Sequence, residues 1–262
     1  EAMALCDRIV VLCAGKDVDE ITRDGATWPG DTEDRLVRSM FGERREIAAP
    51  ASSTGRHARE GMALDVAGIS TDAAPGRVGL RDVTFSIARG EICAIAGIDG
   101  QGQREIAAAC AGYLHARGTI SIAGTRMPSG NARAFRDAGV AWLTDDRIGE
   151  GSIPTVTVEE TLLMKRQHDA PFSRGGWLRR GALREVARAA IDRWDVRPAS
   201  PVAPVGTLSG GNIQKVLLAR ELAIASSLLI VSQPSHGLDV RTQERVWEAI
   251  AGFAAGGGGV LV

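Results

Sequence analysis

The 262-residue sequence lacks several features that would indicate a membrane-spanning, an oxidised or a nucleic-acid-binding protein. No apolar run approaches the roughly 20 residues that a membrane-spanning helix needs. The 31 Lys and Arg residues balance 32 Asp and Glu residues, so the basic surplus of nucleic-acid binders is missing. The few cysteines stand singly, which favours reduced packing residues over disulfides or a metal site. They are Cys6, Cys13, Cys93 and Cys110.

Both ends of the sequence have the pattern of interior segments of a fold. The opening residues, EAMALCDRIVVL, predict a helix that runs directly into a strand. The closing residues, GGGGVLV, predict the beginning of a buried strand. We therefore expect the chain to be a fragment of a longer protein.

Composition divides the chain into two parts. Residues 1–48 predict a pair of short strands and a helix over roughly Thr32–Phe41. A stretch rich in Ala, Ser, Gly and Pro then predicts a linker over residues 49–61. From Met62 onward the pattern is that of a new α/β domain, which extends to residue 262.

Apolar strands separated by helices indicate a parallel sheet in this second part. The run Glu91–Ala96 is continuously apolar after its first residue, which predicts a strand buried on both faces. Further strands are predicted at Val140–Leu143 and Leu228–Val231, and a mostly helical segment lies between them.

The first motif, GIDGQGQREI, has the glycine spacing of a phosphate-binding loop. Its glycines are Gly97, Gly100 and Gly102. Such a loop places a lysine and then a serine or threonine after the last glycine, but here Gln103 and Arg104 follow. Taken alone the motif is weak, because glycines between a strand and a helix also occur simply as turns.

Two later motifs change that interpretation. LSGGNIQK predicts the start of a helix with Ser209 as its N-cap. The backbone N–H groups of Gly210 and Gly211 would then be open to bind an anion. A plain capped helix has the same sequence pattern. LLIVSQPSHGLDV is an apolar strand that ends in Ser232 and Gln233 and is followed by a turn.

In this order and spacing the three motifs resemble the ATP-binding cassette (ABC) ATPases. The form of the second and third is similar to the ATP-binding subunits of bacterial importers for simple sugars and nucleosides, which carry two ATPase domains in tandem. The resemblance implies an α/β fold of the P-loop ABC ATPase type. It would have a parallel-sheet core, an antiparallel β subdomain and a helical subdomain at about residues 150–205.

The resemblance covers nearly the whole chain. Residues 1–48 would be the C-terminal tail of a first ABC ATPase domain. Residues 62–262 would be a second domain, truncated at its C-terminus.

The resemblance also assigns roles to single residues, and several catalytic ones are replaced together. In the family the loop lysine contacts the β- and γ-phosphates, and the next hydroxyl holds Mg²⁺. Gln103 brings no charge, and Arg104 has no acceptor atom for a metal. Ser232 stands at the Walker B aspartate position. Gln233 stands at the catalytic glutamate position, where an amide cannot act as a general base near neutral pH.

The remaining positions follow from the same alignment of motifs. Asp145 aligns with the glutamine that senses Mg²⁺, although Asp145-Asp146-Arg147 also fits a turn with a local ion pair. We expect ATP to be the ligand and Mg²⁺ to bind only at the partner domain's site. The expected nucleotide-binding residues are Gly97, Gly100, Gly102, Gln103, Arg104, Asp145, Ser209, Gly210, Gly211 and Asp239.

The function implied is that of an ATP-binding subunit that energises an importer for a sugar or nucleoside. In the family two domains form a head-to-tail sandwich, so Ser209 and its two glycines would complete the partner's site. The full-length protein would hydrolyse ATP, and this fragment alone would not. No metal site is expected in this chain.

The expected partners are a first ATPase domain or a second copy, membrane permease subunits and, indirectly, a solute-binding protein. No nucleic acid is expected, and the location would be the cytoplasmic face of the inner membrane, peripherally bound. Two alternatives stay open: a soluble tandem ABC protein of DNA repair or translation, and a structural module that binds no nucleotide.

One further stretch, FSRGGWLRRG, places Arg174, Arg179 and Arg180 beside Trp177. It fits a nucleic-acid stacking patch. It also fits a solvated surface loop of the helical subdomain, near the permease or near anionic membrane headgroups.

Overall fold

The computed structural model describes residues 8–13, 16–22, 28–41, 59–98 and 100–262. The chain forms two compact units, Glu1–Ser52 and Ser53–Val262, and each is described by itself. The predicted opening helix lies outside the described residues, as does most of the predicted linker over residues 49–61. The predicted domain boundaries stay predictions.

The described residues of the first unit form a hairpin followed by a helix. Strand β1 (Arg8–Cys13) pairs antiparallel with β2 (Lys16–Thr22), and helix α1 (Thr32–Phe41) follows. Arg35 on the helix holds Asp19 on the hairpin with two hydrogen bonds, of 2.9 Å from Nε to Oδ2 and 2.6 Å from a terminal nitrogen to Oδ1. This bidentate contact fixes the helix against the strands.

The second unit combines two four-stranded sheets with helices and a small two-stranded hairpin. Its elements in chain order are β3 (Arg59–Ser70), β4 (Val83–Arg89), β5 (Ile92–Cys93), α2 (Gln103–Cys110), β6 (Arg117–Ile122), β7 (Thr125–Arg126), α3 (Ala132–Asp137), β8 (Val140–Leu143), α4 (Val158–Leu163), β9 (Ser173–Arg174), β10 (Trp177–Leu178), α5 (Arg180–Trp194), a 3₁₀ turn (Val205–Thr207), α6 (Gly210–Leu222), β11 (Leu228–Val231), α7 (Val240–Ala255) and β12 (Gly259–Leu261).

The predicted fold class is confirmed by the pairing of these strands. The order β5-β12-β11-β8 forms a parallel sheet, and β4-β3-β6-β7 forms an antiparallel one. Strands β8 and β11 have the predicted bounds, and all four residues of β11 are buried. The carboxyl ends of β8 and β11 lie side by side, because Leu143 is in register with Val231. Polar residues that follow these strands therefore share one edge of the sheet.

The first predicted strand of this sheet differs from expectation. The apolar run Glu91–Ala96 predicts a strand buried on both faces, but only Ile92 and Cys93 form one, and Ile92 is 43% exposed. The physical reason is its place in the sheet. Strand β5 is an edge strand whose only partner among the described strands is β12, so part of its surface faces water.

Among the described residues, two large apolar clusters hold the second unit together. One packs α6 and α7 against β8 and β11 and includes Leu217, Leu229 and Val246. The other fills the space between the two sheets and α2, and includes Phe135 and Ile230. Each face of the parallel sheet is therefore covered, as in an α/β fold, and the loops at its carboxyl edge are free to build a site.

Candidate functional site

The glycine loop joins β5 to α2 at the carboxyl edge of the parallel sheet. Gly100 and Gly102 have φ angles of 79° and 109°, in the region that residues with a Cβ rarely adopt. Gly102 is also the residue before the first turn of α2, at the helix N-cap position. The loop thus has the backbone turn that brings a helix N-terminus toward a ligand.

The side chain of Gln103 lies back over this loop. Its Nε2 donates a 3.0 Å hydrogen bond to the carbonyl oxygen of Ile98, and its Oε1 accepts one of 3.1 Å from the N–H of Gln101. A Cβ added at Gly97 would sit 2.7 Å from Nε2, so the glycine leaves room for the amide. Gln103 therefore closes the loop on itself and uses one of the backbone donors that a phosphate would need.

Arg104 points away from the loop toward a carboxylate on another segment. Its guanidinium forms an ion pair with Glu150, whose other oxygen accepts a 2.8 Å hydrogen bond from Thr144 Oγ1. Hydrogen bonding to Glu150 raises the pKa of the guanidinium, and Asp145 and Asp146 add to this effect. The positive charge of Arg104 is thus neutralised by a carboxylate of the same chain.

The two residues that follow β11 are a serine and a glutamine, at the positions where the resemblance implies carboxylates. The hydroxyl oxygen of Ser232 accepts a 3.1 Å hydrogen bond from the indole N–H of Trp142 on the neighbouring strand β8. Gln233 has a φ of 45°, an uncommon conformation for a residue other than glycine. The strand end therefore offers a hydroxyl and an amide, and neither can take a proton from water near neutral pH.

One cleft of about 470 Å³ brings these replaced positions together. Its lining contains eight of the twelve residues singled out in the sequence: Gly97, Gly100, Gly102, Gln103, Arg104, Asp145, Ser232 and Gln233.

The segment around Asp145 forms a turn, but the local ion pair considered from sequence is wrong. Among the described residues neither Asp145 nor Asp146 pairs with Arg147. Asp146 instead accepts a 2.7 Å hydrogen bond from the N–H of Gly149. Arg147 reaches across to donate to the carbonyl oxygen of His236, because the two polar strand ends share one sheet edge. The turn after β8 is thereby tied to the turn after β11.

The LSGG motif lies outside that cleft, at the start of α6. Ser209 occupies the N-cap position, yet the predicted capping by its side chain is wrong. Its hydroxyl oxygen instead accepts a 2.9 Å hydrogen bond from the side-chain amide of Asn212. The first N–H groups of a helix have no partner within it, so those of Gly210 and Gly211 remain available at the positive end of the helix dipole.

Asp239 belongs with this second group of residues. It caps α7, accepting 3.0 Å and 2.7 Å hydrogen bonds from the N–H and hydroxyl of Thr242. Burial acts to raise the pKa of Asp239, but the hydrogen bonds from Thr242 and the positive charge of Lys215 together hold the pKa below its usual range. A Cβ added at Gly211 would lie 3.7 Å from Leu238 and 4.0 Å from the Asp239 carboxylate, so the two helix starts are neighbours.

Three residues that shape the cleft were missed in the sequence. Glu150, Thr144 and Trp142 hold Arg104 or Ser232 in place, and all three lie within the segment from β8 to the following turn. No motif spacing marks Glu150. The neighbouring positions of β8 and β11 in the sheet, which bring this segment to the glycine loop, were not predicted from the sequence.

The donor set of the cleft does not fit Mg²⁺. A guanidinium stands where a ligating hydroxyl is needed, and Gln103 blocks the loop that would orient the metal-bound phosphate. The carboxylate of Glu150 is already engaged by Arg104 and Thr144. Among the described residues, no cluster of three His, Cys, Asp or Glu side chains is arranged to hold a metal ion.

The sequence model of the ABC transporter family matches residues 80–236, which is more than half of the chain. The chain belongs to the ABC transporter family. The match spans the glycine loop, the LSGG motif and the strand end with Gln233. ABC ATPase domains bind ATP, and the two groups of residues described above therefore lie in an ATP-binding type of fold.

Curated relatives of this ABC domain are named as import ATP-binding proteins. The glucose import ATP-binding protein TsgD13 of Haloferax volcanii is 34% identical over 266 residues, which cover 100% of this chain and 47% of the relative. The ribose import ATP-binding protein RbsA 1 of Streptomyces avermitilis is 32% identical with the same coverage. The guanosine import ATP-binding protein NupO of Bacillus subtilis is 32% identical, with 98% and 49% covered. The chain thus spans about half the length of these relatives.

Solved structures agree with the ABC fold. The structure of an ATP-binding subunit of an ABC transporter superposes with a TM-score of 0.60 at 24% identity, covering 76% of this chain and 77% of the other. A dimeric ATP-binding cassette in a post-hydrolysis state gives a TM-score of 0.63 at 19% identity, with 76% and 87% covered. Within the described residues, none of the helices is both long and apolar enough to cross a membrane.

Proposed function

We propose that the chain is part of the ATP-binding subunit of an importer for a sugar or a nucleoside. Within it, residues 62–262 would be a second ABC ATPase domain whose own cleft does not hydrolyse ATP. Residues 1–48 would be the tail of a first domain, joined by the linker at 49–61. The observation that carries this proposal is that Gln103, Arg104, Ser232 and Gln233 line one cleft, at positions where the resemblance implies a lysine, a hydroxyl and two carboxylates.

The contacts within the cleft support loss of hydrolysis rather than a modified mechanism. Gln103 and Arg104 are engaged with Ile98 and Glu150, so neither is directed at a phosphate. Gln233 supplies no base for an attacking water. We infer that nucleotide binding in this cleft is weak or absent, since an incoming phosphate must displace the Gln103 hydrogen bonds without gaining a cation.

The LSGG group supports a role in a different site. Ser209 is exposed, and the open N–H groups of Gly210 and Gly211 form an anion-binding helix start with no catalytic residue beside it. Such a group acts on a phosphate supplied from outside the domain. We infer that it completes the ATP site of the first domain, or of a second copy, and that Mg²⁺ binds there.

The partners follow from this assignment. Membrane permease subunits would receive the motion of the ATPase pair, and a solute-binding protein would deliver the sugar or nucleoside. The subunit would lie at the cytoplasmic face of the membrane as a peripheral protein. The relatives are named as import ATP-binding proteins for glucose, ribose and guanosine, and these names favour an importer subunit over a DNA-repair or translation protein.

The test is the substitution Ser209→Arg in the intact protein with its permease. A bulky cation at the helix start would block the approach of the partner's phosphate, so ATP hydrolysis and transport should fall at least a hundredfold, as after loss of a catalytic oxyanion donor. The matched control is Thr125→Arg, which adds the same side chain at an exposed position on β7. Equal activity of both variants and the wild type would refute the role of LSGG in a partner's site.

A further inference from the structure

A short hairpin stands between helices α4 and α5. Strands β9 (Ser173–Arg174) and β10 (Trp177–Leu178) pair antiparallel around a two-residue turn. The turn residues Gly175 and Gly176 have φ angles of 59° and 83°, as the tight turns of two-residue hairpins require. The hairpin is therefore a defined structural element with a narrow tip.

The base of the hairpin is fixed to the protein. Phe172, just before β9, is buried with Leu163 and Leu183 in a separate apolar cluster. The N–H of Arg179 donates a 2.8 Å hydrogen bond to the carbonyl oxygen of Phe172 and closes the hairpin at its base. The hairpin is thus anchored at its base by packing and by a hydrogen bond.

The two apolar side chains of β10 are exposed to water. Trp177 is 83% exposed and Leu178 is 52% exposed. Successive residues of a strand point to opposite faces, so both faces of the hairpin are open to water. The element therefore projects from the surface.

Positive charge surrounds this apolar tip. Residues 172–184 contain four arginines and no acidic residue, although the chain as a whole has a net charge of −1. Arg184 pairs with Glu159. The other three, Arg174, Arg179 and Arg180, are exposed and form no ion pair with any residue that the structure describes, although the charge of Arg180 helps to lower the pKa of Glu160.

We propose that this hairpin binds the surface of an anionic phospholipid bilayer. Tryptophan favours the boundary between headgroups and acyl chains, where its ring is buried and its N–H stays hydrated. Three unpaired arginines next to it match lipid phosphates. A single-stranded nucleic acid fits less well, because such ligands need several aromatic side chains in succession and the hairpin has one. The proposal is independent of the importer assignment.

The test uses the purified protein without any permease and two kinds of vesicles. One kind is pure phosphatidylcholine, and in the other about a third of the lipid is the anionic phosphatidylglycerol. Sedimentation should show binding to the anionic vesicles only. Neutralising all three arginines (Arg174→Gln, Arg179→Gln, Arg180→Gln) should weaken the affinity for anionic vesicles on the order of a hundredfold. Each basic residue near an anionic lipid surface contributes roughly a fivefold gain in affinity.

The matched control neutralises three arginines that are equally exposed and form no ion pair with any described residue but lie elsewhere: Arg81, Arg126 and Arg241. This control should bind like the wild type.

A second measurement follows the tip itself. The variant Trp177→Phe keeps an aromatic ring, so vesicle binding should stay within about threefold of the wild type. Quenching of tryptophan fluorescence by brominated anionic lipids should be present in the wild type and largely lost in this variant, because the other tryptophans stay in the body of the protein.

Three vesicle results would overturn the proposal. The first is absence of binding to anionic vesicles. The second is an equal loss of vesicle binding in the hairpin triple variant and in the control triple variant. The third is bromolipid quenching of tryptophan fluorescence that persists in Trp177→Phe. Binding to a fluorescent single-stranded oligonucleotide in place of vesicles would equally overturn it, in favour of a nucleic-acid surface.

Discussion

The side-chain amide of Gln103 donates a 3.0 Å hydrogen bond to the carbonyl oxygen of Ile98, inside the loop that would cradle a phosphate. The same amide accepts a hydrogen bond from the N–H of Gln101. A lysine at this position would place a charge over the loop and leave that N–H free. The replacement therefore removes a cation and also adds an internal contact that competes with a ligand.

The first prediction concerns this contact. Gln103→Lys should raise the affinity of the cleft for ATP at least tenfold, because it restores a charged hydrogen-bond donor worth about 1.5–3 kcal/mol. Hydrolysis in the cleft should not appear, since Ser232 and Gln233 still supply no carboxylate. Calorimetric titration of ATP measures the affinity.

The control for this experiment is Gln101→Lys, which adds the same charge to the same loop and leaves the Gln103 side chain in place. An equal gain in both variants would show that charge alone, and not the closed loop, limits binding.

The second prediction compares a buried carboxylate with an exposed one. Glu221 is fully buried and pairs with both Lys165 and Arg220, at 2.8 Å and 2.7 Å. Glu221→Gln should lower the free energy of unfolding by about 3–5 kcal/mol, because it leaves two cations without their shared partner. Glu150→Gln should cost less than about 1 kcal/mol, since its pair with Arg104 is exposed.

Urea unfolding midpoints of the two variants measure this difference. Similar losses in both would mean that burial does not control the energetics of these ion pairs.

The third prediction concerns Cys110, which is completely buried on α2. Burial raises the pKa of its thiol to about 12. Because the folded-state pKa lies above the unfolded value of about 9, this group favours folding below pH 9. As the pH rises beyond 9 the unfolded state loses the thiol proton first, and stability should fall by about 1.4 kcal/mol per pH unit until about pH 12.

Cys110→Ala provides the comparison, because every other titrating group is the same in both proteins. Unfolding free energies measured between pH 9 and pH 11 should fall less steeply for the variant. Parallel curves for the two proteins would contradict the burial of the thiol.

Much of the fold could be predicted because its strands carry strong local patterns. Val140–Leu143 and Leu228–Val231 are short apolar runs between turns, and both form parallel strands with those bounds. The run Glu91–Ala96 has an equally apolar pattern, but its burial depends on which strands lie beside it. Hydrophobicity shows that a strand is suited to burial, and only the sheet order shows how far it is buried.

The sequence motifs indicated which residues belong to the candidate site, but not which contacts their side chains make. The motifs identified Gln103 and Arg104 as replacements, because both depart from a fixed spacing. Their hydrogen-bond partners, Ile98 and Glu150, depend on side-chain directions in a folded loop. The same holds for Ser209, whose helix-start position was predicted and whose bond to Asn212 was not.

The central claim is that the cleft at the glycine loop does not hydrolyse ATP. It is tested most directly by the rate of ATP hydrolysis of the intact protein carrying Gln233→Ala, compared with the wild type at saturating ATP. If Gln233 takes no part in the chemistry, the two rates agree within about twofold. A fall of a hundredfold or more, the size of effect expected from removing a catalytic base, would contradict the account.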